Sequence, residues 1–444
     1  MTEENNMEPN TQPTQSGARM SQGLHGVRER ARKNKPERFT ALLHHVNVDL
    51  LRDSYYGLKR KAAPGVDGVT WKEYETGLED RLQDLHGRVH RGAYRALPSK
   101  RSYIPKANGK LRPLGIAALE DKIVQSAVVT VLNQIYEEDF RGFSYGFRPG
   151  RSQHQALDAL YVGIRGKKVN WILDMDLKGF FDNLDKEHLM EMVERRMADP
   201  RILRLIRKWL NAGVIEDGEW SETEKGTPQG AVISPLLANI YLHYVLDQWT
   251  DQWRQSAPGD VIIVRYADDA VIGFQHRYEA EKFLQDLREQ LGKYGLELNE
   301  EKTRLIRFGR FARQNRDERG EGKPESFTFL GFHHICAENS LGRFEVRRIT
   351  DGDRRRKKLQ EIQQQIRRKM HEPVAQVGGW LRSVLNGYYQ YHAVPGNLTV
   401  LKRFRRQVAR YWFHALGQRS QRRAHLGKAG ETIRSLATRS QSCS

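Results

Sequence analysis

Two apolar stretches of this chain carry carboxylates at their centres, and that conflict limits the folds open to it. "VIIVRYADDAVIGF" (261–274) reads as a buried strand interrupted by Asp268 and Asp269. "VNWILDMDLKGFFDNL" (169–184) begins the same way and carries Asp174, Asp176 and Asp182. A buried, unpaired carboxylate costs several kcal/mol, so grouped acids in apolar strands call for a cation. Strand alternation puts Ile172, Asp174 and Asp176 on one face and Leu173, Met175 and Leu177 on the other. A lone Asp-Asp pair would fit the cap of a hairpin turn better. The second acidic strand favours a shared metal site over that reading. Magnesium takes oxygen ligands and uses one or two carboxylates together with substrate phosphates. Two such ions about 4 Å apart can activate a 3′-hydroxyl and stabilise a leaving pyrophosphate, which is the chemistry of a polymerase.

Charge points to a polyanionic partner. Lys and Arg number 74 against 55 Asp and Glu, a net +19, with a pI of about 9.8. From Arg354 to Arg423 the basic residues are dense and the acids are only Glu361 and Glu372. Trp380, Tyr388, Tyr389, Tyr391, Phe404, Tyr411, Trp412 and Phe413 are interleaved there. Basic groups neutralise phosphates and aromatic faces stack on bases. The same pattern suits a helix with an apolar inner face and a charged outer one.

Other classes drop out. Two cysteines, Cys336 and Cys443, allow no disulfide framework and no CxxC zinc module. No run of about 18 apolar residues predicts a membrane span, and the N-terminus has no secretory pattern, so a cytoplasmic protein is expected.

Along the chain, residues 1–39 are polar and then basic, and a disordered tail is expected. Helical spacing begins near Phe39, and "KAAPGVDGVT" supplies turn signals. "KRSYIPKANGKLRPLGIAAL" predicts a hairpin turning at Asn108-Gly109. "SPLLANIYLHYVLDQWTDQW" predicts a long helix, and "SFTFLGFHHI" a strand; the remainder is mostly helical. Strands and helices mix without strict βαβ alternation, which predicts an α+β fold with an antiparallel sheet.

Taken in order, these stretches resemble a known family. "YADD" (266–269) resembles the catalytic box of reverse transcriptases. "IPKANGKLRPLGI" (104–116) resembles their fingers hairpin, and "GFSYGFRPGRSQHQAL" (142–157) the next block as group II intron proteins carry it. "LDMDLKGFFDNLD" (173–185) is similar to motif A and "GTPQGAVISPLLANIYLHYVLD" (226–247) to motif B. "LELNEEKTRLIRF" (296–308) is similar to motif D and "FTFLGF" (327–332) to the primer grip. On either side, "AAPGVDGVT" (62–70) resembles the N-terminal extension of group II intron reverse transcriptases. The segment 377–416 resembles their maturase domain. Roughly residues 40–420 are covered.

The resemblance implies a right-hand polymerase of fingers and palm with an antiparallel palm sheet, then an all-α thumb/maturase domain. The expected divisions are a tail over 1–39, an extension over 40–95, fingers and palm over 96–340, thumb/maturase over 350–425 and a tail over 426–444. It implies two Mg²⁺ ions, with Mn²⁺ as a substitute, on Asp176, Asp268, Asp269 and the Leu177 carbonyl. Asp268 is expected to be indispensable and Asp269 a close second. Asp174 and Asp182 are expected not to be ligands, and Arg265 and Tyr266 to position rather than react. Lys106 and Arg112 would grip the incoming triphosphate, and Gln229 would track nucleotide and template. Phe181 is either a gate against the ribose 2′-hydroxyl or a core ring. Lys302 is either a proton donor or charge stabiliser at pyrophosphate, or a surface lysine. Arg148 and Arg151 would contact template backbone. Arg354, Arg355, Arg356, Lys357, Lys402, Arg403, Arg405 and Arg406 would bind nucleic acid. Tyr388, Tyr389 and His392 fit a core and an RNA contact equally.

The expected partners are a group II intron RNA, an RNA template with its DNA primer, dNTPs and, as a ribonucleoprotein, target DNA. A homodimer is left open. The C-terminal segment matches no HNH endonuclease, which resembles the compact bacterial class C type. The expected function is RNA-directed DNA synthesis with assistance to splicing and retrohoming. The rivals are a free-standing bacterial reverse transcriptase and a splicing-only RNA-binding protein.

Overall fold

The computed structural model describes residues 22–105, 111–216, 219–221, 226 and 230–419, with the backbone alone at Pro105 and Arg112. The chain divides into two compact units between Leu305 and Ile306.

The first unit is built around the helix Leu119–Asp139, apolar on nearly every side: Ile123, Val124, Ala127, Val128, Val131, Leu132, Ile135 and Tyr136 are all fully buried. Such a helix belongs at the centre of a large core. The helices Val48–Gly57 and Leu78–His90 add their apolar stripes to the same core. The helix Gln22–Lys33 also packs on Leu119–Asp139, which corrects the expected tail over residues 22–39, while its residues 1–21 lie outside the described residues. Its Leu24, Val27 and Ala31 form a narrow apolar stripe that a strongly basic composition obscures. Arg28 pairs with Glu138 at 2.7 Å across that contact.

Two sheets position the candidate site. In the fingers sheet, β1 (Ser99–Pro105) and β2 (Leu111–Ile116) form the expected hairpin, paired from Lys100↔Ile116 to Pro105↔Leu111. Its turn at Asn108-Gly109 lies outside the described residues. The short strands β4 (Val214–Glu216) and β5 (Glu219–Ser221) extend this sheet in the order β2-β1-β4-β5, with β4 parallel to β1. They were not expected, because three residues are too few to show an alternation.

The palm sheet has the order β6-β7-β3-β8, from β3 (Trp171–Met175), β6 (Val261–Tyr266), β7 (Asp269–Phe274) and β8 (Arg304–Arg307). Both β6 and β3 run antiparallel to β7. β7 is buried along Ala270–Phe274, which accounts for its continuous apolar run. The helix Arg277–Gly292 covers this sheet with Phe283 and Leu287, and the helix Gln153–Gly166 lies on β6. The long helix predicted over 234–253 forms as Ser234–Leu242 and Gln248–Ser256, joined by a π-helical turn at His243–Asp247.

The second unit holds a three-stranded antiparallel sheet, β9 (Ser326–Phe329), β10 (Phe332–Glu338) and β11 (Phe344–Thr350), with β10 in the middle. The helices Gly352–Arg368, Val374–His392 and Leu398–Arg419 follow. Ile362, Ile366, Leu381, Leu385, Phe404 and Trp412 form their common core. The expected division near 340–350 therefore lies earlier, and the helices share their unit with a sheet. The reason is a set of polar contacts tying β10 and β11 to the helices. Asn397 bonds Thr350 through its Oδ1 and Nδ2, His392 Nδ1 lies 3.3 Å from Thr350 Oγ1, and the Tyr391 hydroxyl donates to the Leu330 carbonyl at 2.7 Å. Among the described residues no helix is long and apolar enough to cross a membrane.

Candidate active site

The β6–β7 hairpin closes with Tyr266 paired to Asp269 and only Ala267 and Asp268 between them. Two-residue hairpins need positive φ at the first loop residue to match strand twist. Ala267 adopts φ 57°, a conformation glycine takes at no cost and alanine does not. The turn is therefore strained, and Asp268 and Asp269 stand on it.

Arg265, only 1% exposed, holds the turn from behind. Its Nε and Nη2 donate to both oxygens of Asp247 at 2.7 and 2.6 Å. Nη1 donates to the Ala267 carbonyl at 2.8 Å and to Asn239 Oδ1 at 3.1 Å, and Nη2 also to Ser144 Oγ at 2.7 Å. A buried ion pair of this kind is tolerable only with its donors and acceptors satisfied. Asp247 closes the π-helical turn, a feature frequent at functional sites. Gly146 presses on the same turn: a Cβ there would stand 2.2 Å from the Ala267 nitrogen. Asn239 Nδ2 fixes Gly146 by donating to its carbonyl at 2.7 Å. The expectation that Arg265 positions rather than reacts agrees with this geometry.

Asp176 follows β3 directly. The Asn299 amide donates to its carbonyl at 2.8 Å, and the Lys178 amide to the Glu297 carbonyl at 2.9 Å, around the isolated bridge Leu177↔Leu298. In such a pair the central residues are not bonded to each other, so the Leu177 carbonyl stays outside the bridge. The Asp176 carboxylate accepts from Lys302 Nζ at 2.9 Å and Asn299 Nδ2 at 3.0 Å. The segment after the helix Arg277–Gly292 thus clamps both the backbone and the side chain of Asp176. Asp174, two residues earlier on the same face, meets Arg304 at 3.5 Å and is half-buried. Burial pushes its carboxyl up to about 6, with Arg304 opposing and Asp176 adding.

The acids interact electrostatically. The Asp269 carboxyl is pushed up to about 7, first by the crowding of the chain around it, then by the charges of Asp268, Asp176 and Asp174, with Lys302 opposing. Asp269 keeps a solvent-exposed surface, and its three neighbouring carboxylates push in the same direction as the crowding. Among the described residues no three His, Cys, Asp or Glu side chains already form a metal-binding cluster. The donor set still fits a divalent cation: like-charged carboxylates raise one another's proton affinity, and an ammonium occupies one of them. A metal ion would replace that proton and that ammonium.

Around these acids, Phe181 sits half-buried in the single helical turn Phe180–Asn183, edge-on to the buried Phe180 at 5.2 Å. Asp182 lies exposed in the same turn. Motif B approaches here. A Cβ on Gly226 would stand 2.5 Å from the Phe181 carbonyl, and one on Gly230 2.8 Å from the Gly115 carbonyl of the fingers hairpin. Two glycines thus let one loop pass closely by palm and fingers. Lys106, Gln229 and the Arg112 side chain lie outside the described residues.

Arg148 is corrected. It is 4% exposed, pairs with Glu137 at 3.0 Å, and donates to the carbonyls of Arg141 and Ser144 at 2.8 and 2.7 Å. With its guanidinium spent inside the protein it has nothing to offer a template. Arg151 is half-buried, 5.4 Å over the Tyr145 ring. In the second unit Arg354, Arg356, Lys357, Lys402, Arg403 and Arg406 are exposed on their helices, while Arg355 and Arg405 are half-buried. Tyr388 stacks on Phe404 at 3.9 Å and His392 is buried, so both belong to the core. Tyr389 is half-buried against it.

Sequence reasoning missed Asn299, Asn239, Asp247 and Ser144. A signal existed for two of them: Asn239 and Asp247 are misplaced polar residues in the apolar helix "LLANIYLHYVLD". Buried polar side chains in such a run must have partners.

The family described as reverse transcriptase (RNA-dependent DNA polymerase) matches residues 104–334. Protein YkfC of Escherichia coli (strain K12) is 37% identical over 314 residues, covering 64% of this chain and 78% of that protein. Group II intron-encoded protein LtrA of Lactococcus lactis subsp. cremoris is 36% identical over 222 residues, covering 50% of this chain and 37% of LtrA. An uncharacterized 91 kDa protein in the cob intron of Schizosaccharomyces pombe is 42% identical over 209 residues, covering 47% of this chain and 26% of that protein.

Proposed function

Because the chain belongs to the reverse transcriptase family, we propose that it copies RNA into DNA at the site framed by Asp176, Asp268 and Asp269. One observation carries the reading: a strained turn, anchored from behind by Arg265, holds Asp268 and Asp269 where their charges act on one another and on that of Asp176.

Asp176, Asp268, Asp269 and the Leu177 carbonyl would hold two divalent ions, magnesium or its substitute manganese, which would supply activation of the primer 3′-hydroxyl and stabilisation of the leaving pyrophosphate. The protein's own groups do the rest. Lys302, paired with Asp176 at 2.9 Å, would be the nearby proton donor and countercharge for pyrophosphate once that carboxylate served as a ligand. Phe181, half-buried on the turn following Asp176, would act as the gate against a ribose 2′-hydroxyl. Lys106 and Arg112 on the fingers hairpin bind the triphosphate, and Gln229 orients nucleotide and template.

The test is Mg²⁺-dependent dTTP incorporation on poly(rA)/oligo(dT). Wild type is expected to extend the primer and Asp268→Asn to abolish extension. A wild type that incorporates nothing, or an Asp268→Asn variant with full activity, sinks the reading.

A second role is supported by the exposed basic faces of the helices Gly352–Arg368 and Leu398–Arg419, and by relatives named for introns. We infer that the chain binds a group II intron RNA, assists its splicing, and acts with it on target DNA. A group II ribozyme core around the gene, and splicing of that RNA stimulated by the protein, are the expected results. Reverse transcription without any splicing effect would favour a free-standing enzyme, and splicing without synthesis a splicing-only protein.

A further inference from the structure

Phe180 and Phe181 are adjacent rings with different surroundings. Phe180 is buried and meets Tyr241 edge-on at 6.2 Å, whereas Phe181 packs on the core with one side only. Their turn, Phe180–Asn183, is a single one, too short to be stable by itself. Its own backbone bonds, from the Asp182 and Asn183 amides at 2.9 and 3.0 Å, both end on the Gly179 carbonyl. A turn tied to one atom can swing about it. What holds the turn against its neighbours therefore fixes the Phe181 ring.

Three contacts hold it. At the entry, the Lys178 amide donates to the Glu297 carbonyl at 2.9 Å. At the exit, the Gly226 amide donates to the Leu184 carbonyl at 2.8 Å. Across the turn, Asn183 Nδ2 donates back to the Lys178 carbonyl at 2.9 Å, so the approach and the last residue of the turn are tied to each other. Asn183 is exposed and could have spent its amide on water instead. Gly226 also bears on the turn sterically. It is buried, and a Cβ there would stand 2.5 Å from the Phe181 carbonyl oxygen, where ordinary contact begins at 3.4 Å. A single methyl group would have to move the backbone of Phe181 or its own by most of an ångström.

We propose that Asn183 and Gly226 are specificity-determining positioning residues: they set the place and stiffness of the Phe181 ring, and through it the preference for deoxyribonucleotides over ribonucleotides. The inference rests on the reading of Phe181 as the gate. A gate discriminates by repulsion, and repulsion discriminates only if the ring does not yield. A ring packed on one side cannot be stiff on its own account. The Asn183 bond closes the turn, and the Gly226 backbone braces it from behind the ring's own carbonyl.

The experiment uses the full chain on poly(rA)/oligo(dT) with dUTP and UTP, which differ only in the 2′-hydroxyl. The readout is the ratio of their kcat/KM values, in which a general loss of folded protein cancels. Wild type is expected to prefer dUTP by about 10²-fold, the scale on which an apolar pocket rejects an added hydroxyl. Asn183→Ala and Asn183→Asp are expected to lower the ratio about fivefold, mainly through a gain for UTP, as the loss of one hydrogen bond allows. The aspartate keeps the shape and has no N–H to give. Gly226→Ala is expected to shift the ratio further, because it moves the ring instead of loosening it. Phe181→Val is expected to remove most of the preference, and Asn183→Ala added to it to change nothing more, because its route is the ring. Asn183 variants with the wild-type ratio overturn the proposal. So does an equal loss for dUTP and UTP, which marks a support of the fold, and so does an Asn183→Ala effect that persists without the ring. If Phe181→Val keeps the preference, the gate reading fails and the inference with it. If Phe181→Val loses the preference and the Asn183 variants keep it, the inference alone fails. A wild type that incorporates neither nucleotide defeats the polymerase reading and both of these. Should Gly226→Ala not fold, the Asn183 series decides.

Discussion

The Lys302 ammonium lies 2.9 Å from Asp176 Oδ2, so the carboxylate expected to hold metal is already occupied by a cation of the protein. Lys302 also opposes the upward push on Asp269. A metal ion and Lys302 therefore compete for Asp176. Lys302→Met is expected to lower the Mg²⁺ concentration giving half-maximal extension, because the competitor is gone. It is also expected to lower kcat by about 10²-fold, the ordinary contribution of a positioned proton donor. Extension rates across an Mg²⁺ titration measure both. An unchanged kcat would return Lys302 to the status of a surface lysine.

Arg265 and Asp247 give a second expectation, in which stability and activity separate. Removing one partner of a buried ion pair leaves the other charge uncompensated, at a cost of about 3–5 kcal/mol. Arg265→Met and Asp247→Leu are each expected to lose that much by denaturant unfolding. The double variant is expected to regain most of it, because two apolar side chains can fill the space without a stranded charge. Extension activity is not expected to return in the double variant, since the Ala267 carbonyl loses the donor that steadies the turn. Restored activity would show that the pair only maintains the fold.

The Asp269 carboxyl supplies a pH dependence with a definite sign. Its ordinary value of 3.8 applies to the unfolded chain and about 7 to the metal-free fold. Between those values the unfolded chain has released a proton that the folded chain retains. The contribution to stability is therefore complete below about pH 4 and is lost as pH rises through about 7. Metal-free protein should melt at falling temperature across that window, and Asp269→Asn should flatten this part of the curve. Mg²⁺ competes with the same proton, so its midpoint in extension assays should fall as pH rises to about 7 and then level off. A midpoint constant from pH 6 to pH 8 would place the proton elsewhere.

The sequence exposed the site better than its support. Asp174, Asp176, Asp268 and Asp269 stand out because a carboxylate in an apolar strand has few physical excuses, and only the family resemblance prefers Asp176 to Asp174. The fingers hairpin and palm strands followed from Asn-Gly chemistry and from apolar runs. Arg148 misled because the family resemblance alone assigned it to template backbone, whereas Glu137 and two carbonyls take it inside. Such pairing depends on residues distant in sequence or on backbone carbonyls, and neither leaves a local pattern. The helix Gln22–Lys33 was hidden for a related reason: three small or medium apolar residues suffice when a large core already exists to receive them. The β9–β11 sheet shares a unit with the helices through Asn397 and Thr350, a tertiary bond between two unobtrusive polar residues.

Ala267 offers the most economical test of whether strain at the turn serves function. At φ 57° an alanine costs about 1 kcal/mol more than a glycine. Ala267→Gly should therefore raise Tm slightly if the folded turn is unchanged. Glycine also widens the backbone conformations open to Asp268, so the carboxylates lose preorganisation at the point where placement governs rate. The expected result is a more stable protein with kcat reduced by about tenfold and unchanged duplex affinity. Gly146→Ala acts on the same peptide from the opposite side, its Cβ arriving 2.2 Å from the Ala267 nitrogen, and should lower both Tm and kcat. A pair of variants that move stability in opposite directions and activity in the same one would identify turn geometry, not turn stability, as the quantity the active site depends on. Equal activity in wild type and Ala267→Gly would show that the strain is incidental.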